Sequence, residues 1–206
     1  MGEGCRRLFI AACLLSITMS GCAASQPTRF YVLSAAERPA GAGKGPCTEA
    51  GSAAIGISPI GLPKYLDRPQ IMTRKSENEL HLSELNEWAE PLEDGIAAVI
   101  AQDLRSLLCA WVETFPWRQS EKIGYRLTVT VVRLDGVPGK QADLHALWSI
   151  TDEQAKKKIF TKETRYAEPV SSNTEEALVS AYSRLLASLS REIADVFTSK
   201  GLVQVR

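Results

Sequence analysis

Histidine is nearly absent: the chain has two in 206 residues. Protein-held transition metals draw mainly on His and Cys, so a metal site is not expected. The five cysteines are too few for a disulfide scaffold. Neither sign of charge prevails, with 24 basic and 24 acidic residues and a formal net charge of zero. Nucleic-acid binding rests on neutralising phosphates with an excess of Lys and Arg, so nucleic acid is not an expected partner. No apolar run approaches the roughly 20 residues that a membrane-spanning helix needs. Catalytic signatures are missing too. Neither His81 nor His145 belongs to an H-E-x-x-H pattern, and no Ser sits in a G-x-S-x-G elbow. The glycines around Lys44 fail the P-loop spacing, because residue 38 is Arg and Gly45 follows the lysine. Nothing in the chain asks for a cofactor. What remains is an ordinary globular mix, 45% apolar and 23% charged, of a length that suits one domain with a tail.

The N-terminus reads as an address. Arg6 and Arg7 precede an uncharged stretch, Leu8 to Met19, which has the length of a signal-peptide core. It ends in Met19-Ser20-Gly21-Cys22, which resembles a bacterial lipobox with Cys22 as the lipidated first residue of the mature chain. The alternative is an ordinary secretory signal with an incidental cysteine. The expected organisation is a signal peptide over 1–21, a lipidated tether over 22–28 and a periplasmic domain over 29–206. Residue 23 is Ala, not Asp. By analogy with enterobacterial lipoproteins, this favours the outer membrane over the inner one.

Within the domain, Arg29 to Ser34 predicts a strand, and Ala35 to Ser52, rich in Gly, Ala and Pro, a loop. Ala54 to Ile60 predicts a strand whose Pro59 end lies at an edge or bulge. Ile71 to Lys75 and the segment through Leu80 and Leu82 predict a hairpin with its tip at 76–78. Leu92, Ile96, Ile100, Leu104, Leu107 and Leu108 recur at three- and four-residue steps, so a helix is expected to open at Pro91 and run to about Cys109. Trp111 to Trp117 suits an edge strand. Tyr125 to Leu134 alternates apolar and polar residues, and Asp135-Gly136 and Pro138-Gly139 suggest a turn after it. Leu144, Ala146, Trp148 and Ile150 mark the return strand, and Lys158 to Tyr166 a third. Ser172 with Glu175 forms a capping-box signature before a helix that carries Leu178, Tyr182, Leu185, Leu189, Ile193 and Val196. Leu202 to Val205 suggests a last short strand. The expected fold class is α+β: a two-layer sandwich of a mainly antiparallel sheet with two amphipathic helices packed on one face.

His81 and His145 fall at polar strand positions and read as solvated. Lys156 to Lys158 reads as a solvated hairpin tip that protects a sheet edge. Once Cys22 is acylated and the signal removed, Cys47 and Cys109 are the cysteines left, and an oxidising compartment permits a disulfide between them. The alternative is Cys109 as a buried free thiol. The segment Gly61 to Ile71 stands apart: two prolines stiffen it, and Leu62, Tyr65 and Leu66 are apolar or aromatic in what should be a connection. Either these side chains tuck onto the core, or Leu62, Pro63, Tyr65, Leu66 and Arg68 present a rim to a partner or lipid. In either case Asp67 and Arg68 are expected to hold the loop's shape by hydrogen bonds.

The lipobox, Arg29-Phe30-Tyr31-Val32-Leu33, Ile55-Gly56-Ile57 and the run Leu62-Pro63-x-Tyr65-Leu66-Asp67-Arg68-Pro69-Gln70-Ile71, followed by Asn86 to Leu92, resemble the ABC-type transport auxiliary lipoproteins. The resemblance implies a non-enzymatic lipoprotein facing the periplasm. It would work with an MCE-domain protein and inner-membrane components to move lipid across a Gram-negative envelope, either docking that partner or contacting phospholipid itself, and it is compatible with a homo-oligomer. A plug or chaperone for another outer-membrane complex would need the same anchor and fold.

Overall fold

A computed structural model describes residue 2 and residues 26–36, 54–118 and 122–204. The eight strands are β1 (Arg29–Tyr31), β2 (Ala54–Ile57), β3 (Gln70–Arg74), β4 (Leu80–Trp88), β5 (Trp111–Thr114), β6 (Ile123–Val137), β7 (Gln141–Asp152) and β8 (Lys157–Pro169). Two helices are described, α1 (Leu92–Leu107) and α2 (Glu175–Ser199). The fold is the expected α+β sandwich, with its strands divided between two sheets. Five strands run in the order β5-β2-β6-β7-β8 and three in the order β1-β4-β3.

The antiparallel meander β6-β7-β8 is the backbone of the large sheet. Leu127, Val129 and Val131 stand opposite Ile150, Trp148 and Ala146, so the alternation of both strands puts one apolar row on the same face. All six residues are buried. α2 lies across β6, β7 and β8, α1 packs beside α2 and reaches β5, and β3 of the small sheet packs against β6.

Four expectations need correction. β2 is an interior strand, parallel to both β5 and β6, not an edge. Pro59 lies beyond its last residue, so no ladder bond is lost, and Ser58 N and Gly61 N on either side donate to Leu127 O (2.9 Å) and Val129 O (3.0 Å). Parallel neighbours need a long crossover, and here the chain passes through β3, β4 and α1 between β2 and β5. Asp135 and Gly136 belong to β6, paired with Asp143 and Ala142, and the chain reverses at 138–140, where Gly139 has a positive φ of 71°. Gly136 serves close approach: a Cβ there would stand 2.6 Å from Gln141 O and 2.7 Å from Ala142 Cα. The cap of α2 is Thr174, whose hydroxyl accepts from Ala177 N at 3.2 Å, two residues beyond the predicted Ser172. Residues 202–204 form no strand; Gly201, at φ 67°, turns the chain off α2. Gln204 O accepts from Cys109 N at 2.9 Å.

The helix stripes are as expected, except that α1 stops at Leu107, itself half-buried, with Leu108 buried in extended backbone beyond it, and that Phe197 is buried where Val196 is half-buried. One polar residue intrudes. Asp103 of α1 is only 2% exposed. Its Oδ1 accepts from Ala36 N at 2.9 Å, while among the described residues Oδ2 and the fully buried Ser190 hydroxyl on α2 meet no hydrogen-bond partner. Burial pushes the Asp103 carboxyl above its usual range, and the Ala36 N–H and nearby Ser190 offset only part of that. A raised folded-state pKa means the ionised group opposes folding at neutral pH and ceases to do so as pH falls through that value. Asp103→Asn keeps the acceptor and removes the charge. It should therefore raise the melting temperature at pH 7, with the gain shrinking on acidification. A lower melting temperature at pH 7 would contradict this account.

Candidate functional site

The proline-stiffened segment is pinned at both ends. Before it, Gly61 bridges to Thr130 on β6, with Val131 N donating to Gly61 O at 2.8 Å. After it, Trp88 N donates to Pro69 O at 2.7 Å, joining the loop to the end of β4. Between these anchors Leu66 N donates to Pro63 O at 2.9 Å, closing a tight turn.

This turn faces the Trp88–Glu93 segment that leads into α1, and the two enclose a cleft of about 420 Å³. Leu62, Leu66, Pro69, Trp88, Pro91 and Leu92 form its apolar walls, and Asp67, Arg68, Glu90 and Glu93 stand at its rim. Pro91 occupies the position before the first helical residue, not the first turn itself; Glu93 and Asp94 lie in the first turn, and the Glu90 carboxylate reaches it from before the cap. Trp88 is held from behind by Tyr182 of α2, with ring centroids 6.4 Å apart. Three carboxylates against one guanidinium make the rim acidic.

The expected rim residues divide. Arg68 is exposed at the cleft mouth. Leu62 is half-buried and walls the cleft. Leu66 is 4% exposed, so it is a core side chain whose edge reaches the cleft and not an exposed anchor. Pro63 and Tyr65 are half-buried and do not line the cleft. Tyr65 turns inward, and its hydroxyl donates to Asp135 Oδ2 at 3.2 Å. Burial, followed by the negative charge of Asp135, pushes the Tyr65 phenol up to about 12. The expectation that Asp67 and Arg68 hold the loop by hydrogen bonds is met by Asp67 alone, 3.3 Å from Lys64 Nζ on the surface. The Arg68 side chain makes no such bond among the described residues; only its backbone N–H does, to Leu66 O at 2.9 Å.

Sequence reasoning missed Asp135. It is fully buried and accepts from Arg74 Nε and Nη2 (both 2.7 Å), Arg133 Nε (2.8 Å) and Tyr65. This joins the loop and the small sheet to the large one. Burial pushes its carboxyl up, but the bonds to Arg74 and Arg133 together outweigh that and hold it below the usual carboxylate range. An Asp-Gly pair reads locally as a turn, and the irregularity of β6 between Val131 and Arg133 breaks the alternation just before it, so local pattern carried no counter-signal.

His81 is exposed, and His145 Nε2 lies 2.8 Å from Glu163. Cys22 and Cys47 lie outside the described residues. Cys109, just past α1, is disulfide-bonded, which sets aside its reading as a free thiol. Among the described residues, no group of three or more His, Cys, Asp or Glu could hold a metal ion, and no helix is long and apolar enough to cross a membrane.

The geometry is that of an α+β sandwich with a proline-framed, acid-rimmed apolar cleft. The model of the ABC-type transport auxiliary lipoprotein component matches residues 31–194, and the chain belongs to that family. Two crystal structures share the fold. A protein described as uncharacterized has a TM-score of 0.69 at 17% identity, covering 84% of this chain and 99% of its own. A Xanthomonas campestris protein has a TM-score of 0.63 at 15% identity, covering 81% and 92%. A comparison with curated protein sequences finds no match.

Proposed function

We propose that this lipoprotein is a non-enzymatic auxiliary component of an MCE/ABC-type lipid transport system in the Gram-negative envelope. Acylated Cys22 anchors it to the outer membrane, with the domain facing the periplasm and docking an MCE-domain protein through the cleft. One observation carries the reading. The two stretches most characteristic of the family resemblance, Leu62 to Ile71 and Asn86 to Leu92, converge on the two sides of one cleft. A cleft with apolar walls and an acidic rim suits a partner segment that places an apolar side chain between cationic ones, a common anatomy for docking sites.

The test is purification of the full-length protein from native membranes, with its partners identified by mass spectrometry. The wild type should recover an MCE-domain protein. Exchanging rim charges, in Arg68→Glu and Glu90→Lys, should remove that partner. Arg68→Glu should leave the melting temperature unmoved because its side chain is exposed, whereas Glu90→Lys should lower it slightly because the Glu90 carboxylate lies against the first turn of α1. Recovery that is unchanged in both variants would refute docking at the cleft. Repeated purification of the wild type without any MCE-domain protein would refute the system assignment.

A further inference from the structure

Among the described residues, β1 and the residue after it leave two large apolar side chains exposed, beside Glu87, the half-buried register partner of Phe30, which accepts from Gln70 Nε2 at 3.0 Å. Phe30 is 64% exposed and Val32 55% exposed, while Tyr31 between them turns inward and donates to Asn86 Oδ1 at 3.0 Å. Leu85, at 39%, lies beside Asn86, the register partner of Arg29. β1 is also the edge of the small sheet. Cations flank the apolar pair. Arg29 is exposed on one side, and on the other Val32 borders a groove carrying Arg191 of α2 and Arg184, the latter paired with Glu168 at 3.3 Å.

The length of the tether says what covers this face. Six residues separate Cys22 from Arg29, so the seven steps between them reach about 25 Å at full extension. A domain of this length is about 40 Å across, judged from the radius of gyration of compact chains. A tether shorter than the domain is wide holds the face bearing β1 toward the bilayer. Aromatic and aliphatic side chains flanked by cations are the composition that lies at a headgroup boundary.

We propose that Phe30 and Val32 form a membrane seat: they insert at the headgroup boundary of the leaflet that holds Cys22, with phospholipid as the occupant, and so orient the domain relative to the membrane. The proposal rests on acylation of Cys22, proposed above.

The test places a photo-reactive benzoylphenylalanine at position 30, 32 or 111 of the full-length protein in native membranes and reads adducts by mass spectrometry. Trp111, also 64% exposed, controls for exposure alone. Phospholipid adducts are expected at 30 and 32 in clear excess over 111. Adducts at 30 and 32 that are protein, or no more lipid-rich than those at 111, overturn the seat when the same sample shows an acyl chain on Cys22. Absence of that acyl chain overturns the anchor and the seat together.

Discussion

Replacing Asp135 with Ala is expected to cost about 3–5 kcal/mol of folding stability, the range seen when one partner of a buried ion pair is removed. The carboxylate has about four acceptor sites, and the structure fills them with two bonds from Arg74, one from Arg133 and one from Tyr65. Removing it leaves the Arg74 guanidinium, whose side chain is 18% exposed, without its main counter-charge. The Arg133 arm is more than a third exposed, so solvent screens it and it adds little. Asp135→Asn should not rescue. An amide supplies two acceptor sites, and its own N–H donors would face the guanidinium donors. That contrast with Asp103→Asn, which should stabilise, separates a paired buried carboxylate from a poorly paired one. The pH dependence has opposite sign as well. The folded-state pKa of Asp135 is depressed, so its contribution is fully present above the unfolded value of about 3.9 and is lost as pH falls through the folded value. Denaturant unfolding of wild type, Asp135→Ala and Asp135→Asn at pH 7 and pH 3 checks both points. Variants within about 1 kcal/mol of wild type at pH 7 would show that the network is not what joins the sheets.

Local periodicity made the helices and the meander legible. The α1 stripe from Leu92 to Leu104 and the row Ala146, Trp148 and Ile150 on β7 follow from spacing alone, because one buried face dictates which residues are apolar. Non-local pairing left no such mark. Nothing in Ala54 to Ile57 says that it lies between two parallel neighbours, since a short apolar strand reads the same at an edge or in the interior. The division into two sheets was equally hidden. It rests on β3 of the small sheet meeting β6 of the large one through the Arg74–Asp135 pair, a contact across 61 residues of chain. The same limit applies to the site. The resemblance named the Leu62–Ile71 and Asn86–Leu92 stretches, but only the fold brings them to one cleft. It also distinguishes Tyr65, turned inward to Asp135, from Arg68, turned out to solvent.

Leu66→Asp is expected to unfold the domain or come close to it, and the loss of function should track the loss of structure. This reverses the expectation for an exposed hot spot. Leu66 is 4% exposed and belongs to the main core cluster. Truncating such a side chain to Ala costs ~2–5 kcal/mol, and an unpaired carboxylate in its place adds a desolvation penalty. Tyr65→Phe should be milder, about 1.5–3 kcal/mol, because it removes one hydrogen bond to a charged acceptor and keeps the ring. Leu66→Met conserves volume and should cost under about 1.5 kcal/mol. These three variants, set beside Arg68→Glu, separate the loop's two duties. Packing variants should move melting temperature and partner recovery together, whereas the rim variant should move partner recovery alone. If Leu66→Asp keeps the wild-type melting temperature yet loses the partner, Leu66 contacts the partner directly and the packing account of this loop is wrong.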